Sequence, residues 1–315
     1  MACQAKPKTT TEVRWHFSAD SAYTYIAQQM AFGARVPLSE AHEACGDWLV
    51  AELQRHGAQV IQQRGIMPDF ANQELPVRNI IAHIPGNTPA AILLCAHWDS
   101  RPWCDEDTNP NNRLLPVPGA NDGASGVGVL LEIARQLQLL RTTDRAHQIP
   151  TVDIIFFDVE DMGTPNHYTG PQREHTWCLG SQFWAKNYIQ TPIAQRTKYQ
   201  YGILLDMVGD PSATFPREYF SMNYASNYVE QIWRTAMQLG YGRYFVNQTA
   251  YPITDDHYYV NTIAGIPCVD IIDYKPNHGT GFAEWWHTMQ DDIRNINHQT
   301  LQAVGETVIT TICSK

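Results

Sequence analysis

Apolar runs that stop abruptly at polar or charged residues recur along this chain, and they set its predicted architecture. The clearest is AAILLC, Ala91 to Cys95 at its core, which gives way to His97, Trp98 and Asp99. A polar loop rich in Pro and Asn follows, and the chain returns as PGANDGASG, with Asp122 wedged among Gly119, Gly123 and Gly126. A continuous apolar run of strand length that closes on chemistry-bearing residues is the pattern of a buried parallel strand presenting its carboxyl end to a ligand. Beyond Gly126, VGVLLEIARQLQLL has the apolar spacing of a helix, and TVDIIFFD then reads as a further strand. Strand, acid-bearing loop, helix and strand in that order predict an α/β domain.

The rest of the chain fits the same plan. SEAHEACGDWLVAELQRHG predicts a helix capped by Ser39 and stopped at Gly57. Residues 11–37, with Trp15, Phe17, Tyr23, Tyr25 and Phe32, predict a helical segment packed by its aromatic face. The β-branched alternation from Val77 to Ile84 predicts a strand, and the Pro85-Gly86-Asn87 turn predicts that it pairs antiparallel with the Ala91 strand. YGILLDMVG and IPCVDIIDY supply two more strands, with helices near Asn227–Leu239 and from about Gln299. Between Asp158 and Trp184 the chain is too rich in Gly, Pro and polar residues to be regular, and long loops of that kind in compact domains are usually functional. Residues 1–38 are read as an N-terminal tether and packing segment. Residues 39–315 are read as one domain, a mixed and largely parallel central sheet flanked by helices.

Composition narrows the partners. A formal charge of −10 without a cluster of Lys and Arg argues against nucleic acid, whose recognition requires displacing counterions from phosphates. No apolar run approaches the roughly 20 residues that span a bilayer, so a water-soluble body is expected. The seven cysteines form no CxxC pair, which removes the zinc-ribbon and thioredoxin-like readings. The start, MACQAKPKTT, fits a lipidated Cys3 on a polar tether, which would place the protein at a periplasmic or cell-envelope membrane; an ordinary free cysteine is the alternative.

The candidate chemistry lies in His97, Asp99, Asp122, the Glu160-Asp161 pair, Asp206, the Asp255-Asp256 pair and His287. Taken singly, an acid after a strand is more often a turn former or helix cap. Glycines around Asp122 favour close backbone approach to a ligand. Adjacent Glu160 and Asp161 at a buried strand end repel one another unless a cation or proton compensates them, a surface charge pair being the alternative. Carboxylates with one imidazole suit a zinc site that keeps an open position, leaving the other acid for proton transfer. Spacing alone does not establish that His287 reaches Asp122.

The ordered motifs HWDSR, GANDGASG, FFDVED, LLDMVG, TDDH and WWHTMQDD resemble the zinc aminopeptidase superfamily, and more closely its glutaminyl cyclase branch of the Bacteroidetes type. The resemblance runs from about residue 40 to the C-terminus. It implies the zinc aminopeptidase-like fold, with one zinc per chain held by Asp122, Asp161 and His287. It also implies Glu160 as the proton-transfer residue and Asp206 and Asp255 as an acid network beside the substrate amine. Trp286 is implied as the pocket indole, and His97, Trp103 and Trp177 are further substrate-contact candidates. Asp161 departs from the Glu of animal cyclases. A cis peptide between Asp122 and Gly123 is also implied. The expected activity is conversion of N-terminal glutamine of peptides or proteins to pyroglutamate with release of ammonia. A two-zinc aminopeptidase, using His97 and Asp206 for a second ion, and a catalytically silent zinc- or peptide-binding domain are the alternatives.

Overall fold

A computed structural model describes residues 15–88, 90–188, 198–277 and 279–314. Cys3 and its proposed anchor lie outside the described residues. Seven α-helices and eight strands alternate along the described chain. The first two helices are α1 (Ala19–Ala31) and α2 (Glu40–Arg55). Ser18 caps the first by accepting from Ser21 N–H, and Ser39 caps the second from His42 N–H, as its sequence predicts. Gly57, with φ +77, turns the chain out of α2 into the sheet.

Six strands form the main sheet in the order β1 (Gln59–Pro68), β2 (Glu74–Ile84), β4 (Thr151–Phe157), β3 (Ala91–His97), β5 (Tyr201–Asp206) and β8 (Cys268–Ile272). The four strands β4, β3, β5 and β8 are mutually parallel, while β1 and β2 join one edge antiparallel. A two-stranded sheet of β6 (Phe215–Arg217) and β7 (Phe245–Thr249) lies apart from it.

The expected antiparallel pairing of the Val77–Ile84 and Ala91 strands does not occur. β4 sits between them, pairing antiparallel with β2 and parallel with β3. The Pro85–Asn87 turn instead crosses the end of β4, where Asn87 N–H donates to the Ile149 carbonyl at 2.8 Å. β4 is buried along nearly its whole length and fills a central position that an edge strand such as β1, with alternating exposure, cannot.

Alternate residues of the central strands β4, β3 and β5 feed two cores, while Leu75 and Val77 of β2 join a third, small cluster with Val159, Met162 and Leu179. Ile92, Leu94, Ile154, Phe156, Ile203 and Leu205 face a large core shared with α1, α2, α3 (Ala124–Leu140), α5 (Tyr219–Leu239) and α7 (His298–Cys313). Leu93, Cys95, Ile155, Phe157 and Leu204 face a smaller one beneath α4 (Leu179–Asn187) and α6 (Asp256–Thr262). Gly126 has a packing role here, because a Cβ at that position would come within 2.2 Å of the Leu205 carbonyl oxygen. That close approach seats α3 on the sheet directly behind Asp122. Cys45, Cys95, Cys104, Cys178, Cys268 and Cys313 are free and buried. Among the described residues no helix is long and apolar enough to cross a membrane.

Candidate metal centre and active site

The carboxyl ends of the parallel strands converge on one cavity of about 490 Å³ whose wall includes Asp122, Glu160, Asp161, Asp206, Asp255 and His287. Asp122 arrives on the turn between β3 and α3, Glu160 and Asp161 follow β4, Asp206 ends β5, and Asp255 caps α6. His287 comes from the long loop after β8 and takes a left-handed backbone conformation, φ +54. Val159, Cys178 and Met207 do the same, at φ +50, +57 and +49. That conformation is strained for residues other than glycine, and it is retained where surrounding structure fixes a site.

Buried acids that line no part of the cavity hold these loops in place. Asp99, fully buried, accepts the backbone N–H groups of both Glu160 and Asp161 at 3.1 Å. Asp291 does the same for Asn121 and Asp122, at 2.7 and 3.1 Å. The Asp122–Gly123 peptide is trans, contrary to the implied cis bond, and no cis peptide occurs among the described residues. Gly123 supports the turn instead through φ +94, and a Cβ there would come within 2.6 Å of the Asp99 carbonyl oxygen.

Asp122, Asp161 and His287 offer three ligand atoms within 4.8 Å of one another. His287 Nε2 stands 3.4 Å from Asp122 Oδ2 and 3.1 Å from Asp161 Oδ1. Asp161 is 1% exposed, yet neither of its carboxylate oxygens accepts a hydrogen bond. A buried polar atom without a partner costs about 1–3 kcal/mol, and more when charged. Two carboxylates and an imidazole around such an orphaned acid form the donor set of a divalent ion, and oxygen with nitrogen donors suits zinc. The residues therefore fit the metal.

Charge in the cavity points the same way. Burial pushes Asp161 upward and the Asp122 charge adds to it, against the His287 ring. Burial also raises Glu160 well above its ordinary value; His97 opposes this, while Asp161, Asp255 and Asp256 reinforce it. Asp206 is pushed up to about 7, chiefly by burial and against its hydrogen bond from His97. Burial lowers His287, but Asp161 and then Asp122 outweigh it and lift the imidazole to about 9. So many acids cannot all be ionised side by side, and a cation relieves the conflict that protons would otherwise settle.

The other expected residues divide. Trp286 stacks on His287 with ring centroids 3.6 Å apart and lines the cavity, as does Trp177. Trp103 does not; it packs edge-on against Phe70 and His167 and faces the Arg101 guanidinium at 5.6 Å. The loop carrying it is held away from the pocket by that cluster. His97 is also displaced from the cavity wall, standing behind Asp122 and Asp206 at 2.9 and 3.2 Å.

Sequence reasoning misses Arg101 and Asp105. Arg101 donates to Asp105 through two nitrogens, at 2.8 and 2.6 Å, and to the Asp161 carbonyl at 3.1 Å. Asp105 in turn faces His287 Nδ1 at 3.8 Å. The four-residue spacing of Arg101 and Asp105 is the available signal, but nothing local links the pair to Asp161 and His287 far along the chain.

Comparison with known proteins agrees with this geometry. The family model described as Peptidase family M28 matches residues 79–312. A Zn-dependent exopeptidase from Parabacteroides distasonis is 48% identical, with a TM-score of 0.88 over 95% of this chain and 99% of that one. Tannerella forsythia glutaminyl cyclase is 47% identical, with the same TM-score and the same shares of the two chains. Bos taurus glutaminyl-peptide cyclotransferase is 27% identical over 246 residues, which span 72% of this chain but only 63% of the bovine protein. Because that model spans most of the chain, including the parallel strands and Asp122, Asp161 and His287, the chain belongs to Peptidase family M28.

Proposed function

We propose that the protein converts the N-terminal glutamine of peptides or proteins into pyroglutamate, with release of ammonia. The observation that carries this reading is the orphaned Asp161 carboxylate, set among Asp122 and His287, with Glu160 next to it on the same cavity wall. The glutaminyl cyclase likeness supports it, and so does a cavity of about 490 Å³, large enough to admit a peptide end.

Asp122, Asp161 and His287 would hold one zinc. When bound, zinc supplies Lewis-acid polarisation of the side-chain amide carbonyl. Glu160 accepts a proton from the substrate's α-amine as that nitrogen bonds to the amide carbon. It then returns the proton to the departing nitrogen, so the C–N bond breaks and ammonia leaves with no net change at the carboxylate. Attack within one molecule gains the advantage of proximity, and no water is consumed. Asp206 and Asp255 orient the amine and titrate as a coupled pair. Trp286 presents its ring to the planar amide.

One observation favours a second reading. His97, Asp122 and Asp206 also place three ligand atoms within 4.8 Å, the set a two-zinc aminopeptidase would use. Incubating the protein with a short Gln-initiated peptide, with and without a zinc chelator, separates the two readings. Chelator-sensitive ammonia release, a pyroglutamyl product and one zinc per chain support the cyclase. Free glutamine with two zincs per chain overturns it.

A further inference from the structure

Cys178 lies outside the cavity wall, with its sulfur within 4.8 Å of ligand atoms of Glu160 and Asp255, and it grips Glu160 twice. Its thiol donates to Glu160 Oε1 at 3.0 Å, and its backbone N–H donates to the Glu160 carbonyl at 2.9 Å. Leu179 N–H extends the same clamp to the Val159 carbonyl at 3.1 Å. Cys178 is fully buried and occupies the position before the first turn of α4, where a Ser, Thr or Asp side chain would normally cap the helix. No side-chain cap bond forms there, and the residue takes φ +57, ψ +37, which is costly for a side chain with a Cβ. The local rules of helix initiation are thus broken at the residue whose side chain turns toward Glu160.

We propose that Cys178 is a positioning residue that fixes the direction of the Glu160 carboxylate. With Glu160 N–H tied to Asp99 and its carbonyl tied to Cys178, the backbone is held at both ends, and the thiol supplies the remaining constraint on the side chain. One oxygen is thereby anchored, and the carboxylate is aimed as a unit rather than left to sample its rotamers. Because Cys178 is buried and its thiol is engaged, this role needs no ionised sulfur and no redox step.

The inference rests on Glu160 as the proton carrier, so its test reads both turnover and geometry. Cys178→Ala, Cys178→Val and Cys178→Ser are compared with the parent protein for kcat, KM, zinc content and thermal midpoint, and by crystallography. Misaiming a reacting group by about 1 Å can cost ~100-fold, so a kcat loss of at least ~10-fold is expected for Ala and Val, with KM and zinc content unchanged. Serine, which keeps a donor of similar size, is expected to recover most of the loss, and the Glu160 carboxylate is expected to turn away from its parent position in the Ala and Val crystals. An unmoved carboxylate, full kcat in Ala or Val, or a Ser variant as slow as Ala overturns the proposal. Should Ala fail to fold, comparison of Val with Ser decides the matter by the same criteria. Absence of ammonia release from the parent protein would defeat the functional reading instead, while the carboxylate's position would still decide the role of the thiol.

Discussion

Asp122 belongs to two clusters of acid and imidazole that use the same residue types and are finished in different ways. On one side, His97 places Nε2 2.9 Å from Asp122 and 3.2 Å from Asp206, and Nδ1 3.4 Å from Asp99. Both ring nitrogens have carboxylate partners, and none of the oxygens of Asp99, Asp122 or Asp206 is a buried atom without a hydrogen-bond partner. On the other side, His287 approaches Asp122 and Asp161, but the Asp161 oxygens accept nothing. Burial and composition do not distinguish the two; unused lone pairs do. Of these two clusters, the one with unused lone pairs is the better candidate for an ion.

The comparison can be broken most forcefully at Asp161. Asp161→Ala should abolish zinc retention and turnover together, measured as metal per chain after dialysis and as ammonia released. Retained zinc would show that this cluster is not the metal centre. Glu160→Gln should lower kcat by ~10²–10⁴-fold, the usual range for a general acid–base group, while zinc stays bound. Loss of the metal in that variant would move Glu160 from proton transfer to ligation. His97→Gln tests the other cluster: metal content should remain at one per chain and kcat should fall less than in Glu160→Gln, whereas a drop from two zincs to one would reopen the dinuclear reading. Trp286→Ala should raise KM by about 10-fold, the equivalent of ~1.4 kcal/mol, with a smaller change in kcat. An unaltered KM would leave the indole a packing role against His287.

Much of this is legible in the sequence, for reasons that differ from element to element. β3, the Asp122 turn and α3 can be read because a run buried on both faces, glycines and helical spacing all agree there. β1 escapes notice because Gln59, Gln62, Gln63 and Arg64 give an edge strand little apolar signal. α6 is missed because it spans only seven residues and Asp255, read as chemistry, also serves as its cap. The first part of α5 is missed as well: it begins at Tyr219 on a Glu218 cap, and a break at Ala225 divides its periodicity. The pairing of β2 is misjudged because a short turn does not reveal that a distant strand enters between its arms. Within the site, acids at strand ends announce themselves, whereas Asp291, Asp105 and Cys178 act through partners remote in sequence. Asp158 marks the limit of reading acids by position. It follows the same strand as Glu160 and Asp161, but it accepts from Arg78 N–H at 2.7 Å and faces His42 Nε2 at 2.7 Å, as a support rather than a site.

The placement of His287 on the loop after β8 has a consequence for biogenesis. As the chain is synthesised, Asp122 and Asp161 emerge well before their imidazole partner, and two carboxylates without it make a poor trap for zinc. If these three side chains hold the ion, its capture waits until the last strand has docked and the loop behind it has closed, so loading would report that maturation is complete. Withdrawal of the ion should loosen that loop first, ahead of the sheet, and hydrogen exchange around Trp285–Gln290 would record it.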